Sequence, residues 1–190
     1  LPNLSRHHAA SSVEAYSQTL DWALRMVLLI AIPAAAALML LAEPILATLF
    51  LYGEVMTPRD MSMATLSLRA YSLGLVAFML IKVLAPGFFA RQDMRTPVRI
   101  GVIAMVSNMA LNLILVIPLH FYWQVGHVGL ALATSLSAFL NALLLFLALR
   151  SKAIYLPGTA WMHFMVTLLL AVTLMVVTLV WLGGQFDAFD

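Results

Sequence analysis

Five apolar stretches, each long enough to cross a bilayer, follow one another with short polar breaks between them: residues 22–52, 58–90, 97–119, 125–149 and 161–182. Nothing else in the sequence constrains the fold as tightly. About 20 residues of helix cross roughly 30 Å of hydrocarbon. Lipid offers no partner for a bare N–H or C=O, so a spanning segment must be a helix or part of a closed barrel. Barrel strands would show alternating polarity over roughly ten residues, and no such pattern is visible. The expected fold is therefore all-α, a polytopic transmembrane bundle of five spans. Composition agrees, with 64% hydrophobic and 9% charged residues where a soluble domain carries about a quarter charged.

The breaks carry helix-start signals. Thr57-Pro58-Arg59-Asp60 supplies an N-cap hydroxyl, a proline at the first helical position and an acid in the first turn. Thr96-Pro97 repeats the pattern, and Pro157-Gly158-Thr159 precedes Trp161. Gly183-Gly184 is expected to end the last span. Ser11-Ser12-Val13-Glu14 resembles a capping box, so residues 12–20 are expected to form a short helix on the membrane surface. The chain opens on Leu1-Pro2-Asn3 with no signal-peptide pattern, and the expectation is that its true N-terminus lies upstream.

Charge sets the expected orientation. Of the ten lysines and arginines, Arg6, Arg25, Arg91, Arg95, Arg99, Arg150 and Lys152 fall on one side. The other side has Arg59, set against Glu54, Asp60, Asp187 and Asp190, while Arg69 and Lys82 lie inside the second span. The positive-inside rule puts the first side in the cytoplasm. Residues 1–21 are then a cytoplasmic segment, 22–182 the membrane region and 183–190 a truncated periplasmic tail. Tyr52, Phe121, Tyr122, Trp123, Trp161 and Trp181 sit near the expected interfaces, as an aromatic belt would.

No catalytic constellation is present. The chain has no cysteine, which excludes thiolate ligands and nucleophiles within it, and His7, His8, His120, His127 and His163 have no metal-ligand spacing. No nucleotide-binding or hydrolase motif occurs. The informative residues are polar groups at membrane depth. Arg69 and Lys82 are candidates for a substrate cavity; the plainer reading is a structural ion pair or an outer-leaflet snorkel for Arg69 and snorkelling to the cytoplasmic interface for Lys82. Asn108 and Asn112 share one face of the third span, and Thr134, Ser135 and Asn141 of the fourth can oppose them. That cluster reads either as a cation site of amide and hydroxyl oxygens or, better, as interhelical hydrogen bonding. Glu43-Pro44 marks an expected bend at the outer interface, and Gly126, Gly129, Ala131, Ala133 and Ser137 point to close helix contact.

One string is more specific. Tyr71-Ser72-Leu73-Gly74-Leu75 is followed by Lys82-Val83-Leu84-Ala85-Pro86-Gly87-Phe88-Phe89-Ala90-Arg91-Gln92-Asp93-Met94-Arg95-Thr96-Pro97-Val98-Arg99. Together with Leu1-Pro2-Asn3-Leu4-Ser5, Leu49-Phe50-Leu51-Tyr52-Gly53 and Val128-Gly129-Leu130-Ala131-Leu132-Ala133-Thr134-Ser135, it closely resembles the MurJ (MviN) family of bacterial lipid II flippases, within the MATE-like (MOP) exporter superfamily. Phe89 stands where the family often has tyrosine, and the His120–Gln124 loop looks longer than usual.

The resemblance implies a two-lobed transporter of fourteen helices, of which this chain is roughly helices nine to thirteen. It implies a substrate, lipid II (an undecaprenyl-pyrophosphate-linked disaccharide peptide), carried across the inner membrane for cell-wall synthesis. It implies no cofactor, no metal and no nucleic acid, and leaves the coupling ion open. Membrane phospholipids are further expected partners, held by the basic loop of Arg91, Arg95 and Arg99. The rival readings are a MATE-like drug or polysaccharide exporter and a non-transporting membrane scaffold.

Overall fold

A computed structural model of the chain describes residues 2–50, 57–89, 92–123, 125–152, 155 and 160–186. They form α1 (Pro2–Leu40), α2 (Ala42–Phe50), α3 (Pro58–Leu84), α4 (Pro86–Phe89), α5 (Arg95–Trp123), α6 (Gly126–Ser151) and α7 (Trp161–Phe186), with no strand among the described residues. Five helices within these are long and apolar enough to cross a membrane: Glu14–Leu40, Pro58–Phe89, Arg95–Phe121, Gly126–Ser151 and Trp161–Gly184.

Proline sets the internal breaks. Pro44 has no N–H to return to the carbonyl four residues back, and the first span breaks at Leu41 between α1 and α2. Pro86 does the same to the second span, which turns at Ala85. Thr57 caps α3 as expected: its hydroxyl accepts from the Asp60 N–H at 3.2 Å, while the Asp60 carboxylate accepts from the Thr57 N–H at 3.1 Å. The other end signals need correction. Thr96 does not cap α5; Asp93 does, accepting from the Thr96 N–H at 3.1 Å and the Thr96 hydroxyl at 2.7 Å. Ser11–Glu14 lies inside α1 rather than at a helix start, and residues 12–20 are continuous with the first span, since no glycine or proline falls between Asn3 and Ile32. Residues 120–123, expected in a loop, complete α5, and the turn closes with the Val125 N–H on the Leu119 carbonyl at 3.0 Å. Gly183 and Gly184 lie within α7, which runs to Phe186. Tyr52, Arg91, Pro157–Thr159 and residues 187–190 lie outside the described residues.

The helices stand in a row, α7 on α1, α1 on α3, α3 on α6 and α6 on α5. Side-chain contacts give each pair its direction. Met39 meets Arg69 and Tyr16 meets Gly87, so α1 and α3 are antiparallel. Ser135 meets Ala70 and Leu149 lies beside Gly87, so α3 and α6 run parallel. Asn108 meets Ser137 and Thr96 meets Lys152, so α5 and α6 are antiparallel. The start of α5, the end of α6, the start of α7 and the Tyr16–Arg25 part of α1 therefore share one end, the basic one.

Small residues allow this closeness. A Cβ on Gly74 would stand 2.6 Å from Ser135 Oγ and 3.0 Å from Ser135 Cα, and one on Gly129 would stand 3.1 Å from the Leu115 backbone. The main core cluster lies toward the basic end, where Leu20, Leu24, Leu84, Phe88, Leu145, Leu149 and Tyr155 are buried together. The edges of the row are bare. Val98, Val102, Met105, Val106 and Met109 are exposed on α5, as are Leu169, Leu170, Leu174 and Val177 on α7.

Candidate functional site

Arg69 lies eleven residues into α3, roughly 16 Å along its axis at 1.5 Å per residue. Its Nε donates to the Met39 carbonyl at 3.2 Å, just before the break that Pro44 imposes. The guanidinium thus binds α3 to the kinked end of α1. It also lines a cleft with Glu43, Pro58, Met61, Ser62, Thr65 and Leu66, open at the end opposite the basic loops. Lys82 is elsewhere. It is exposed near the basic end of α3 and has no hydrogen bond or ion pair with a described residue. Arg69 and Lys82 therefore do not meet in one site within this chain.

The polar cluster divides into two functions. Asn112 Nδ2 donates to Asn108 Oδ1 at 3.1 Å, and Asn108 Nδ2 donates to Ser137 Oγ at 3.2 Å, joining α5 to α6. Ser135 faces the other way and donates to the Ala70 carbonyl of α3 at 2.7 Å. Thr134 donates to the Leu130 carbonyl of its own helix at 2.8 Å. Asn141 is half-buried and joins neither set. The oxygens of the cluster do not converge on one point, and among the described residues no group of three or more His, Cys, Asp or Glu side chains is placed to hold a metal ion.

The basic end carries two knots that the sequence reading did not single out. Asp21 of α1 accepts from the Tyr155 hydroxyl at 2.6 Å and from the Trp161 indole N–H, and pairs with Arg25 at 2.7 Å. The Arg25 guanidinium lies 5.3 Å from the Trp161 ring centre and 5.9 Å from that of Phe164. These contacts tie α7 to α1. Burial, then the Asp21 carboxylate with its hydrogen bond and charge, raise the Tyr155 phenol above its usual range. The i, i+4 spacing of Asp21 and Arg25 was the available signal. In the second knot Lys152, the residue that caps the end of α6, pairs with Asp93, bonds the Thr96 hydroxyl at 2.8 Å and sits over the Phe88 ring. The Lys152 ammonium, then Thr96, hold the Asp93 carboxyl well below the usual carboxylate range. Between the knots, Tyr16 donates to the Gly87 carbonyl at 2.8 Å. Gln92 takes φ 58°, the left-handed turn that releases the chain from α4 toward Asp93. Arg95, Arg99 and Arg150 remain exposed at this end.

A row of five membrane-length helices, joined by interhelical amide and hydroxyl bonds and carrying a deep arginine in an open cleft, defines part of a polytopic helical membrane protein. The Lipid II flippase MurJ family model matches residues 1–189, and the chain belongs to that family. It is 49% identical over 181 residues to "Probable lipid II flippase MurJ" of Vibrio cholerae serotype O1, covering 95% of this chain and 33% of that protein. It is 48% identical over 161 residues to the protein of the same name in Haemophilus influenzae, covering 82% and 30%. Against "Lipid II flippase MurJ" of Burkholderia cenocepacia it is 41% identical over 187 residues, covering 98% and 35%. The chain spans about a third of the length of the curated relatives it matches.

Proposed function

We propose that the parent protein of this chain is a lipid II flippase of the bacterial inner membrane, a transporter that changes no covalent bond and needs no cofactor. The observation that carries the reading is the match to the flippase family along residues 1–189. The physical task is to carry a large polar headgroup through hydrocarbon while the lipid tail stays in the membrane. A two-lobed helical bundle does this by alternating access, opening a central polar cavity to each face in turn. The five helices supply most of the second lobe, and the bare faces of α5 and α7 meet lipid or the remaining helices of the parent.

The basic end faces the cytoplasm in this reading. Arg25, Arg95, Arg99, Arg150 and Lys152 lie there, and cytoplasmic loops of inner-membrane proteins carry such an excess. The N-terminal end of the chain is then cytoplasmic and the C-terminal end periplasmic. Arg69 and Lys82 are the side chains offered to a cavity, and the exposed Arg95 and Arg99 hold anionic phospholipid headgroups at the inner surface. The Asn108, Asn112 and Ser137 chain serves packing rather than cation binding in this reading, since both amide N–H groups are spent within the chain that joins α5 to α6; the buried Asn112 Oδ1 has no partner among the described residues.

Complementation tests the reading. The full-length parent gene, expressed in bacteria depleted of their own lipid II flippase, restores growth and surface exposure of lipid II. Failure with membrane expression confirmed overturns it.

A further inference from the structure

Arg69 and Glu43 line the same cleft as separate charges. The cleft has a volume of about 470 Å³, within the range of roughly 300–1,000 Å³ usual for small-molecule sites. Pro58, Met61, Ser62, Thr65, Leu66 and Arg69 form its wall on α3, recurring at three- and four-residue intervals. Glu43, in the first turn of α2, supplies the opposing charge. Neither Arg69 nor Glu43 is in an ion pair with a described residue. The geometry gives a reason. Nε of Arg69 is committed to the Met39 carbonyl, which fixes the guanidinium on the α1 side of the cleft and leaves its terminal nitrogens for another partner. A second sign lies in the wall itself. Thr65 is 4% exposed, and its hydroxyl has no partner among the described residues.

A cation and an anion held apart across one cleft complement a group that bears both charges, with its carboxylate on the guanidinium and its ammonium on Glu43. A phosphate or pyrophosphate fits poorly, because Glu43 repels it. An uncharged sugar uses neither charge. Resting on the lipid II reading, we propose that this cleft binds the zwitterionic peptide part of the headgroup, at the face opposite the basic loops. The pyrophosphate is then held elsewhere in the parent protein, and the cleft discriminates among headgroups by their peptide.

The test uses the full-length parent in proteoliposomes and two probes. One is lipid II, and the other is lipid II with its peptide carboxylates amidated and its amino group acetylated. Apparent affinity is read by competition, and translocation by accessibility of the headgroup at each face. The wild type favours the intact form. Arg69→Gln and Glu43→Gln each weaken binding of the intact form about tenfold, the loss of one charge-assisted contact, and leave the blocked form unchanged. Arg69→Lys, which keeps the charge, recovers part of the preference. Glu43 makes no hydrogen bond to a described residue, so Glu43→Gln keeps the test decisive should Arg69→Gln fail to fold. Equal handling of both probes by the wild type overturns the assignment of the cleft and leaves the flippase reading standing. A wild type that moves neither probe overturns the flippase reading and this assignment with it.

Discussion

Gly74→Ala is the sharpest probe of how the row of helices is held together. The added Cβ meets Ser135 Oγ at 2.6 Å and Ser135 Cα at 3.0 Å. Neither contact sits at the end of a flexible chain, so α3 and α6 must separate by several tenths of an ångström. That strains the bond from Ser135 to the Ala70 carbonyl, now 2.7 Å. Overpacking of this kind costs about 1–3 kcal/mol, and replacing a mid-helix glycine returns roughly 0.5–1 kcal/mol. The expected net loss is about 1–2 kcal/mol. Ser135→Ala alone removes one interhelical hydrogen bond, worth about 0.6–1.7 kcal/mol in membranes. It also removes the atom that the new Cβ meets first. The double variant is therefore less destabilised than the two single losses added together. Equilibrium unfolding of the full-length protein in mixed micelles measures all three variants. Additive losses, or a neutral Gly74→Ala, would refute the claim that this glycine sets the α3–α6 distance.

Three further outcomes follow from the same contacts. Asp21→Ala deprives Tyr155 and Trp161 of their acceptor and Arg25 of its partner, costing about 2–3 kcal/mol; hydrogen exchange should rise in the first turns of α7, and unchanged exchange there contradicts the latch. Because Asp93 titrates below its unfolded value of about 3.9, its contribution is fully present above that pH and is lost as pH falls toward the lower folded value. The stability gap between wild type and Asp93→Asn should hold steady from neutral pH to about 5 and shrink below about 4; a gap that changes near neutrality is inconsistent with this cap. Asn108→Ala breaks the α5–α6 chain at its centre and should cost about 1 kcal/mol; a sodium-dependent shift in melting temperature that Asn108→Ala abolishes would instead show that the cluster holds a cation.

Some of this molecule is written along the chain and some is not. The five spans are legible because bilayer thickness demands a fixed length of apolar helix, and that demand is local. The Thr57–Asp60 capping box is legible for the same reason, since both partners lie within three residues. Stop signals were less dependable. Gly183-Gly184 would end a helix in water, yet α7 runs through them, because apolar surroundings penalise every freed backbone group. Of the neighbours only α5 against α6 could be read, from polar residues on both, and there Asn108 bonds Ser137. A helix that is apolar on every side has no stripe to name its partner, and the row from α7 to α5 is chosen by where Gly74, Gly129 and Ser135 let backbones approach. Sequence marked Arg69 and Glu43 separately, as a deep cation and a carboxylate beside a proline. Only the break at Leu41, which turns α2 against α3, puts them in one cleft. The Asp21–Tyr155–Trp161 knot spans more than 130 residues of chain, and no local pattern foretells it. What sequence alone determined was the number of spans, the boundaries of the last four to within a few residues and the family; the first span, expected at 22–52, lies at Glu14–Leu40 because its helix runs on from the N-terminal segment and breaks before Pro44. Tertiary structure decided which faces touch and which charges share a cleft, because packing of small residues acts between segments distant in the chain, where local periodicity carries no information.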